Sequence, residues 1–385
     1  MGLVRFTALL GSARSISLLS LLGVLSGGCI VETTVNLTTA FNRGHGYVIS
    51  DLGSGSSSFA FRHMIDSRGR IVAVGGVASA AGDTEAIIWR YLGSGRIDTS
   101  WGGGTGYVIH NSGLSSQGGS TLGSPKVETF ARVREDSAGN YLVIGQSKNA
   151  AGGMDAVVWK INSTTGALDT SFGGGLGYYV FGGFGVATLA GSHNGAAKLD
   201  GPTEDIGIDA SGRIYATLSV AMNPAGIESP VFRLTADGVL DTDYANPDGF
   251  YVATTSYSGN ATVNNRVQSM LVFSDGSALW SGFSANVGAT TTREPVIVKL
   301  TSAGVPDPTF GTAGVSIIGA GAAGISGTAM AAKRDYPSNG SSLVVDSSGR
   351  ILIVGYSQSG ALSEAVVWAM KADGPGLDTA YGRTS

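Results

Sequence analysis

Asp346-Ser347-Ser348-Gly349-Arg350-Ile351-Leu352-Ile353-Val354-Gly355 sets a four-residue turn directly before an apolar, β-branched run. Downstream come a second such run, Ala365-Val366-Val367-Trp368, and a closing phrase, Leu377-Asp378-Thr379-Ala380-Tyr381-Gly382. The whole arrangement occurs five times. Its turn glycines are Gly69, Gly139, Gly212, Gly276 and Gly349, spaced 64 to 73 residues apart, and Asp66, Asp136, Asp209 and Asp346 open four of the turns. The closing aspartates are Asp98, Asp169, Asp241, Asp307 and Asp378. A period this long, with several short strands inside it, marks a radial or stacked all-β array.

Each unit offers four candidate strands. The first follows the closing phrase (Gly106-Tyr107-Val108-Ile109), the second precedes the turn, the third follows it (Tyr141-Leu142-Val143-Ile144), and the fourth ends near Trp (Ala156-Val157-Val158-Trp159). Short β-branched runs bounded by Gly, Ser and Asp read as strands. The third and fourth do not alternate apolar with polar, so both faces of each sheet need cover. A linear stack would carry polar end units, whereas the first and last copies here are as apolar as the rest. The expected fold is therefore an all-β β-propeller of five four-stranded blades of about 70 residues. The expected repeats are 41–101, 102–172, 173–244, 245–310 and 311–385, closed into a ring, with Thr39-Ala40-Phe41-Asn42 echoing Thr379-Ala380-Tyr381-Gly382.

Leu168-Asp169-Thr170-Ser171-Phe172-Gly173, together with the turn-and-strand phrases at residues 66–75 and 346–355, resembles the delta-60 repeat family of bacterial propeller-like proteins. The resemblance covers about residues 40–385. It departs in copies three and four, where Asp241-Thr242-Asp243-Tyr244-Ala245 lacks the Gly and Leu218 replaces the strand-end Gly. What it implies is an exported β-propeller; it brings no activity with it.

Residues 1–28 read as an export signal. Arg5 and Arg14 supply charge, and Ile16 to Leu25 form an apolar stretch too short to span a bilayer. The stretch ends in Leu25-Ser26-Gly27-Gly28-Cys29, which resembles a bacterial lipoprotein signal with Cys29, the sole cysteine, as the lipidated N-terminus. The alternative is an ordinary cleaved signal. Residues 29–40 would then form a tether, and Ile30 and Val31 lack an inner-membrane retention aspartate. The expected address is the outer membrane, periplasmic or surface-facing, with the membrane engaged through the lipid at Cys29. Loss of residues 1–28 leaves 22 basic against 28 acidic side chains, so nucleic acid is not an expected partner. A monomer is expected.

Connections alternate between the two ends of an up-and-down blade. The Asp-x-x-Gly turns and the closing phrases share one face, with Gly and Asp where tight turns need them. Long, dissimilar connections (111–126, 184–203, 254–265 and 319–340) share the other, which is the expected binding face for a glycan or an envelope or surface protein. An acid stands four residues before the Trp position in every copy: Glu85, Asp155, Glu228, Glu294 and Glu364. These five are either a cation site or anionic rim, or acids that each serve their own blade. A base follows the Trp position in four copies (Arg90, Lys160, Arg233 and Lys299).

Catalytic and cofactor motifs are missing. His45, His63, His110 and His193 have no partner at metal-ligand spacing, and neither His-Glu-x-x-His nor Gly-x-Ser-x-Gly occurs. Gly319-Ala320-Gly321-Ala322-Ala323-Gly324 matches a dinucleotide fingerprint but falls between strands rather than in a βαβ unit. No metal, cofactor or catalytic residue is assigned, and the chain is read as not an enzyme. The leading expectation is a lipid-anchored binding scaffold at the cell envelope, with a structural envelope component as the alternative. A propeller glycoside hydrolase or lyase stands third, needing paired carboxylates drawn from Asp51 or from loop residues such as Asp200, Glu204 and Asp335.

Overall fold

A computed structural model describes residues 41–44, 47–50, 52, 57–78, 84–110, 128–148, 154–182, 205–218, 220–221, 227–253, 265–285, 293–318, 333–337, 343–359, 362–371 and 376–381. The chain is a propeller-type all-β array of five antiparallel sheets. No α-helix occurs among the described residues, and none there is long and apolar enough to cross a membrane.

Sheet one runs Ser57–Ile65, Ile71–Ala78, Thr84–Tyr91, Tyr107–His110. Sheet two repeats this with Glu128–Glu135, Tyr141–Lys148, Met154–Ile161 and Tyr178–Phe181. Sheet three uses Asp205–Ile208, Ile214–Thr217, Val231–Leu234 and Phe250–Tyr251. The connection between its second and third strands carries an extra hairpin, Val220–Ala221 with Ile227–Glu228. Sheet four comprises Asn265–Val272, Ala278–Ala285, Arg293–Leu300 and Val315–Ile317. In sheet five Leu362–Met370 pairs with Ile351–Ser359, whose other edge is shared by Lys333–Pro337 and Leu343–Val345. A single parallel bridge, Arg293 with Arg334, joins sheets four and five.

The phase of the repeat differs from the expected one. The strand after each closing phrase pairs backwards onto the unit before it, as Tyr107–His110 does on Trp89–Ala86. Each sheet therefore starts just before its Asp-x-x-Gly turn, and boundaries at 101/102, 172/173, 244/245 and 310/311 cut through sheets. The cause is the tight turn at Trp101–Gly106, where Gly106 donates to the Trp101 carbonyl and reverses the chain beside its predecessor.

Sheets stack face to face through the apolar residues that the lack of alternation foretold. One cluster joins Val72, Val74, Ala86 and Ile88 of sheet one to Val133, Tyr141, Val143 and Trp159 of sheet two. Equivalent clusters join sheets two and three, three and four, and four and five. Each buried Leu, Ile or Val side chain contributes about 1.5–3 kcal/mol, so these interfaces are the main source of stability. At the far side of sheet five, Val344, Val354 and Val367 stay exposed.

An aromatic seat repeats between neighbours. A Cβ on Gly238 would lie 2.5 Å from the ring of Phe172, and one on Gly304 2.8 Å from the ring of Tyr244. The residue after each aromatic then donates to the same turn: Gly173 to the Asp237 carbonyl at 2.8 Å, Ala245 to that of Ala303 at 2.7 Å.

Candidate functional site

The first strands of neighbouring sheets lie against one another, so their edges converge. The fourth strands lie at the opposite edges. Strand one of the expected scheme is thus an outer strand, and the channel edge belongs to the strands before the turns.

Three of these inner strands carry a β-bulge at the same repeat position, between Ala60 and Arg62, Phe130 and Arg132, and Val267 and Ser269. A bulge bends its strand and re-aims the next side chain. It also explains the glycine within the facing strand. A Cβ on Gly75 would sit 1.9 Å from the Phe59 carbonyl oxygen, and one on Gly282 1.7 Å from that of Arg266. Sheet three has Leu218 instead, one residue beyond the last described pair, Thr217 with Asp205.

The residue four before the turn position is Arg62, Arg132, Asp205 and Ser269 in successive units. Arg132 Nη1 lies 2.9 Å from Asp205 Oδ1, and Arg134 Nη2 lies 3.6 Å from the same oxygen. Asp205 also accepts from the Ile206 amide at 2.8 Å and, across to sheet four, from the Met270 amide at 2.8 Å. Its side chain is fully buried, whereas that of Arg134 is 36% exposed. Burial pushes the Arg132 guanidinium below its ordinary value; Asp205 opposes this, and Arg134 and Arg62 add to it. Arginine remains charged regardless. The result is one buried carboxylate contacted by two guanidinium groups, with the charge of a third, Arg62, felt at Arg132: a net positive arrangement suited to an anion.

The other titratable networks have local partners. Each turn aspartate accepts the two amides its turn leaves free: Asp66 those of Arg68 and Arg70, Asp136 those of Ala138 and Asn140, Asp209 those of Ser211 and Arg213, and Asp346 those of Ser348 and Arg350. In unit four Phe273 stands at that position, and Asp275 binds Ser277 instead. The base after the Trp position pairs with the closing aspartate of its own unit: Arg90 with Asp98 at 2.8 Å, Arg233 with Asp241 at 2.7 Å and Lys299 with Asp307 at 2.9 Å, while Lys160 lies 3.0 Å from the turn residue Asp136 and 3.8 Å from Asp169. Arg350 lies 3.9 Å from Asp378 in unit five, where Ala369 removes the base. Sequence reasoning missed these pairs, although their spacing, eight residues in three copies and nine at Lys160–Asp169, is legible.

The five acids before the Trp position lie in the third strand of separate sheets or, for Glu228, in the hairpin just before it. Glu85, Asp155 and Glu294 are half-buried, and the Asp155 carboxyl packs on the Gly182 backbone. Glu228 and Glu364 lie opposite Val220 and Ser357. No group of three or more His, Cys, Asp or Glu that would hold a metal occurs among the described residues. His110 is buried against Trp159 and Phe130 at ring distances of 5.7 and 6.3 Å, and His63 is exposed. Asp335 pairs with Ser357 in sheet five. Cys29, Asp51, Asp200, Glu204, His45, His193, residues 319–324 and nearly all of the long-connection face lie outside the described residues. The strand before Gly319, Val315–Ile317, is antiparallel to Arg293–Leu300, not part of a βαβ unit.

No known family profile and no curated protein matches the chain. Among solved structures, it is similar to an ulvan lyase of polysaccharide lyase family PL25 bound to -[GlcA(1-4)Rha3S]-, at 9% identity and a TM-score of 0.38, covering 82% of this chain and 67% of that one. It is also similar to MPT-4, a mannose phosphorylase from Leishmania mexicana (10% identity, TM-score 0.33, 83% and 85% covered). A third is the GH43 β-1,3-galactosidase BT0265 (7% identity, TM-score 0.33, 82% and 60% covered). At these values no residue role carries over. The expectation that the chain is not an enzyme is nonetheless corrected, because these similar structures are all carbohydrate-active enzymes.

Proposed function

We propose that this chain is an exported propeller that acts on an acidic carbohydrate at the cell envelope, as a lyase or hydrolase, through the inner-edge arginines. The observation that carries this reading is the pair Arg132 and Arg134 on the buried Asp205, with Arg62 adding positive charge beside Arg132. Asp205, itself held by the Met270 amide, keeps Arg132 in place, and the partly exposed Arg134, whose Nη1 also donates to the Val133 carbonyl at 3.1 Å, offers its remaining N–H groups to a carboxylate or sulfate. Neutralising a uronate carboxylate acidifies the proton on C5. Elimination then moves that proton to a base, forms the C4–C5 double bond and releases the 4-linked oxygen, which takes up a proton. Hydrolysis would instead need two carboxylates beside the arginines. Export and lipid attachment at Cys29 belong to the same proposal and rest on residues 1–29.

The test is incubation with polygalacturonate, a sulfated uronan and a neutral glucan, following ultraviolet absorbance of the unsaturated product and new reducing ends. Acid-glycan turnover that falls on replacing Arg134 supports the reading. Equal response to the neutral glucan, or none to any polymer in turnover and calorimetry alike, sinks it. Binding without turnover would leave a recognition scaffold at the envelope.

A further inference from the structure

One rung of the ladder changes character around the array. Directly opposite one another across the first two strands stand Arg62 and Val74 in sheet one, Arg132 and Ile144 in sheet two, Asp205 and Thr217 in sheet three, and Ser269 and Ser281 in sheet four. Val354 holds the second-strand position in sheet five. A hydroxyl thus replaces an apolar side chain where the arginine of the earlier sheets gives way to a shorter residue. Both members of the sheet-three rung are fully buried. A buried hydroxyl without a partner costs free energy, and an apolar side chain of the same shape would avoid that cost.

Side chains directly opposite in an antiparallel pair share a face, with Cβ atoms about 5 Å apart. The face that carries Asp205 and Thr217 looks onto sheet four, because Val231, opposite Thr217 on its other side, packs with Val267 and Met270. Asp205 reaches the Met270 amide across that interface at 2.8 Å, and Ser229 accepts from the Val267 amide at 2.9 Å. Between those two anchors runs the bulged backbone of sheet four, where one residue stands out of the ladder. Asp205 Oδ1 takes three donors, from Arg132, Arg134 and the Ile206 amide. Among the described residues Oδ2 takes the Met270 amide alone, although a carboxylate oxygen has room for two donors. Thr217 Oγ1, on the same face, meets no hydrogen-bonding atom there.

We infer that Thr217 and Asp205 together hold one internal water, which accepts from the Thr217 hydroxyl and donates to Asp205 Oδ2, with the bulged backbone of sheet four on its third side. Two to four polar partners are what an internal water needs. The water completes the donor set of the carboxylate, which accounts for a hydroxyl where sheets one, two and five carry Val74, Ile144 and Val354. Thr217 is thereby a positioning residue: through the water it fixes the carboxylate that holds Arg132 and meets Arg134. The inference concerns the ion pair alone and does not depend on the proposed carbohydrate.

The test compares the full wild-type chain with Thr217→Val, which keeps the side-chain shape and removes the hydroxyl, by high-resolution crystallography and by thermal melts. Wild type should show one ordered water within hydrogen-bonding distance of both Thr217 Oγ1 and Asp205 Oδ2. Thr217→Val should lose that water and melt several degrees lower. With Asp205→Leu and Arg132→Met already in place the carboxylate is gone, so the same change should instead raise the melting temperature. The sign of the shift therefore separates a bridged hydroxyl from an idle one, even without crystals. A direct bond from the Thr217 hydroxyl to Asp205, a rung without the water, a Thr217→Val chain that melts at or above wild type, or an equal loss in both backgrounds would each overturn the inference.

Discussion

Arg132 on sheet two reaches across to Asp205 on sheet three, 2.9 Å from Nη1 to Oδ1, with both side chains almost sealed from water. Through the Met270 amide the same carboxylate also holds sheet four. Three consecutive sheets are thus tied at their inner edges by one charged group.

Removing that carboxylate leaves a buried guanidinium without compensation. Asp205→Ala is expected to cost about 3–5 kcal/mol, the usual penalty for breaking a buried pair from one side. Urea unfolding measures it. Replacing both partners, Asp205→Leu with Arg132→Met, should recover much of the loss; a double variant as unstable as the single one would show that the amide contacts, not the ion pair, dominate.

Arg134 sits on the same carboxylate from the wetter side. Arg134→Ala should leave folding stability nearly unchanged while weakening acidic-glycan binding by about 1.5 kcal/mol, roughly tenfold. Calorimetry at two salt concentrations gives the check, with the wild-type advantage shrinking at high salt.

Gly282 faces a bulge, and a methyl group there would meet the Arg266 carbonyl at 1.7 Å. Gly282→Ala is expected to destabilise by about 1–3 kcal/mol through overpacking. Gly103→Ala is the contrast: its φ is +69° but nothing lies within 4 Å, so only the backbone strain of roughly 1–2 kcal/mol applies. Equal melting temperatures for Gly282→Ala and wild type would refute the close approach.

Acid should weaken the fold in a defined window. The Thr309 hydroxyl and then Lys299 hold the Asp307 carboxyl down at about 2, and the Ser171 hydroxyl leads the lowering at Asp169. Because the folded values lie below the unfolded ones, the stabilisation is complete above the ordinary carboxylate range. It is lost as pH falls from about 4 through about 2. Thr309→Val removes the donor at 2.6 Å and should raise the Asp307 titration midpoint, as followed by carboxyl NMR. An unchanged midpoint would assign the lowering to Lys299.

Strand identity and turn chemistry were open to reading because each depends on neighbours in sequence. Asp66 closes its turn with the amides of Arg68 and Arg70, all within four residues. Phase was not, because a period looks the same wherever it is cut; only the reversal at Trp101–Gly106 assigns Tyr107–His110 to the earlier sheet. The candidate site was hidden differently. Arg62, Arg132 and Asp205 share one repeat position, and aligning that column would have exposed opposite charges on adjacent blades. Attention to near-identical residues passes over that column, since its meaning lies in how the copies differ.

The aromatic seats have a consequence for how such a chain grows. Phe41, Phe172 and Tyr244 enter like seats at Gly95, Gly238 and Gly304, so the coupling between units does not encode which unit is which. A gene segment of one period can be duplicated or lost at equivalent seats, and each new junction meets a socket it already fits. The Arg132–Asp205 tie has no such interchangeability. It fixes the order of sheets two and three, and so marks where this lineage stopped being a set of copies and became one particular protein.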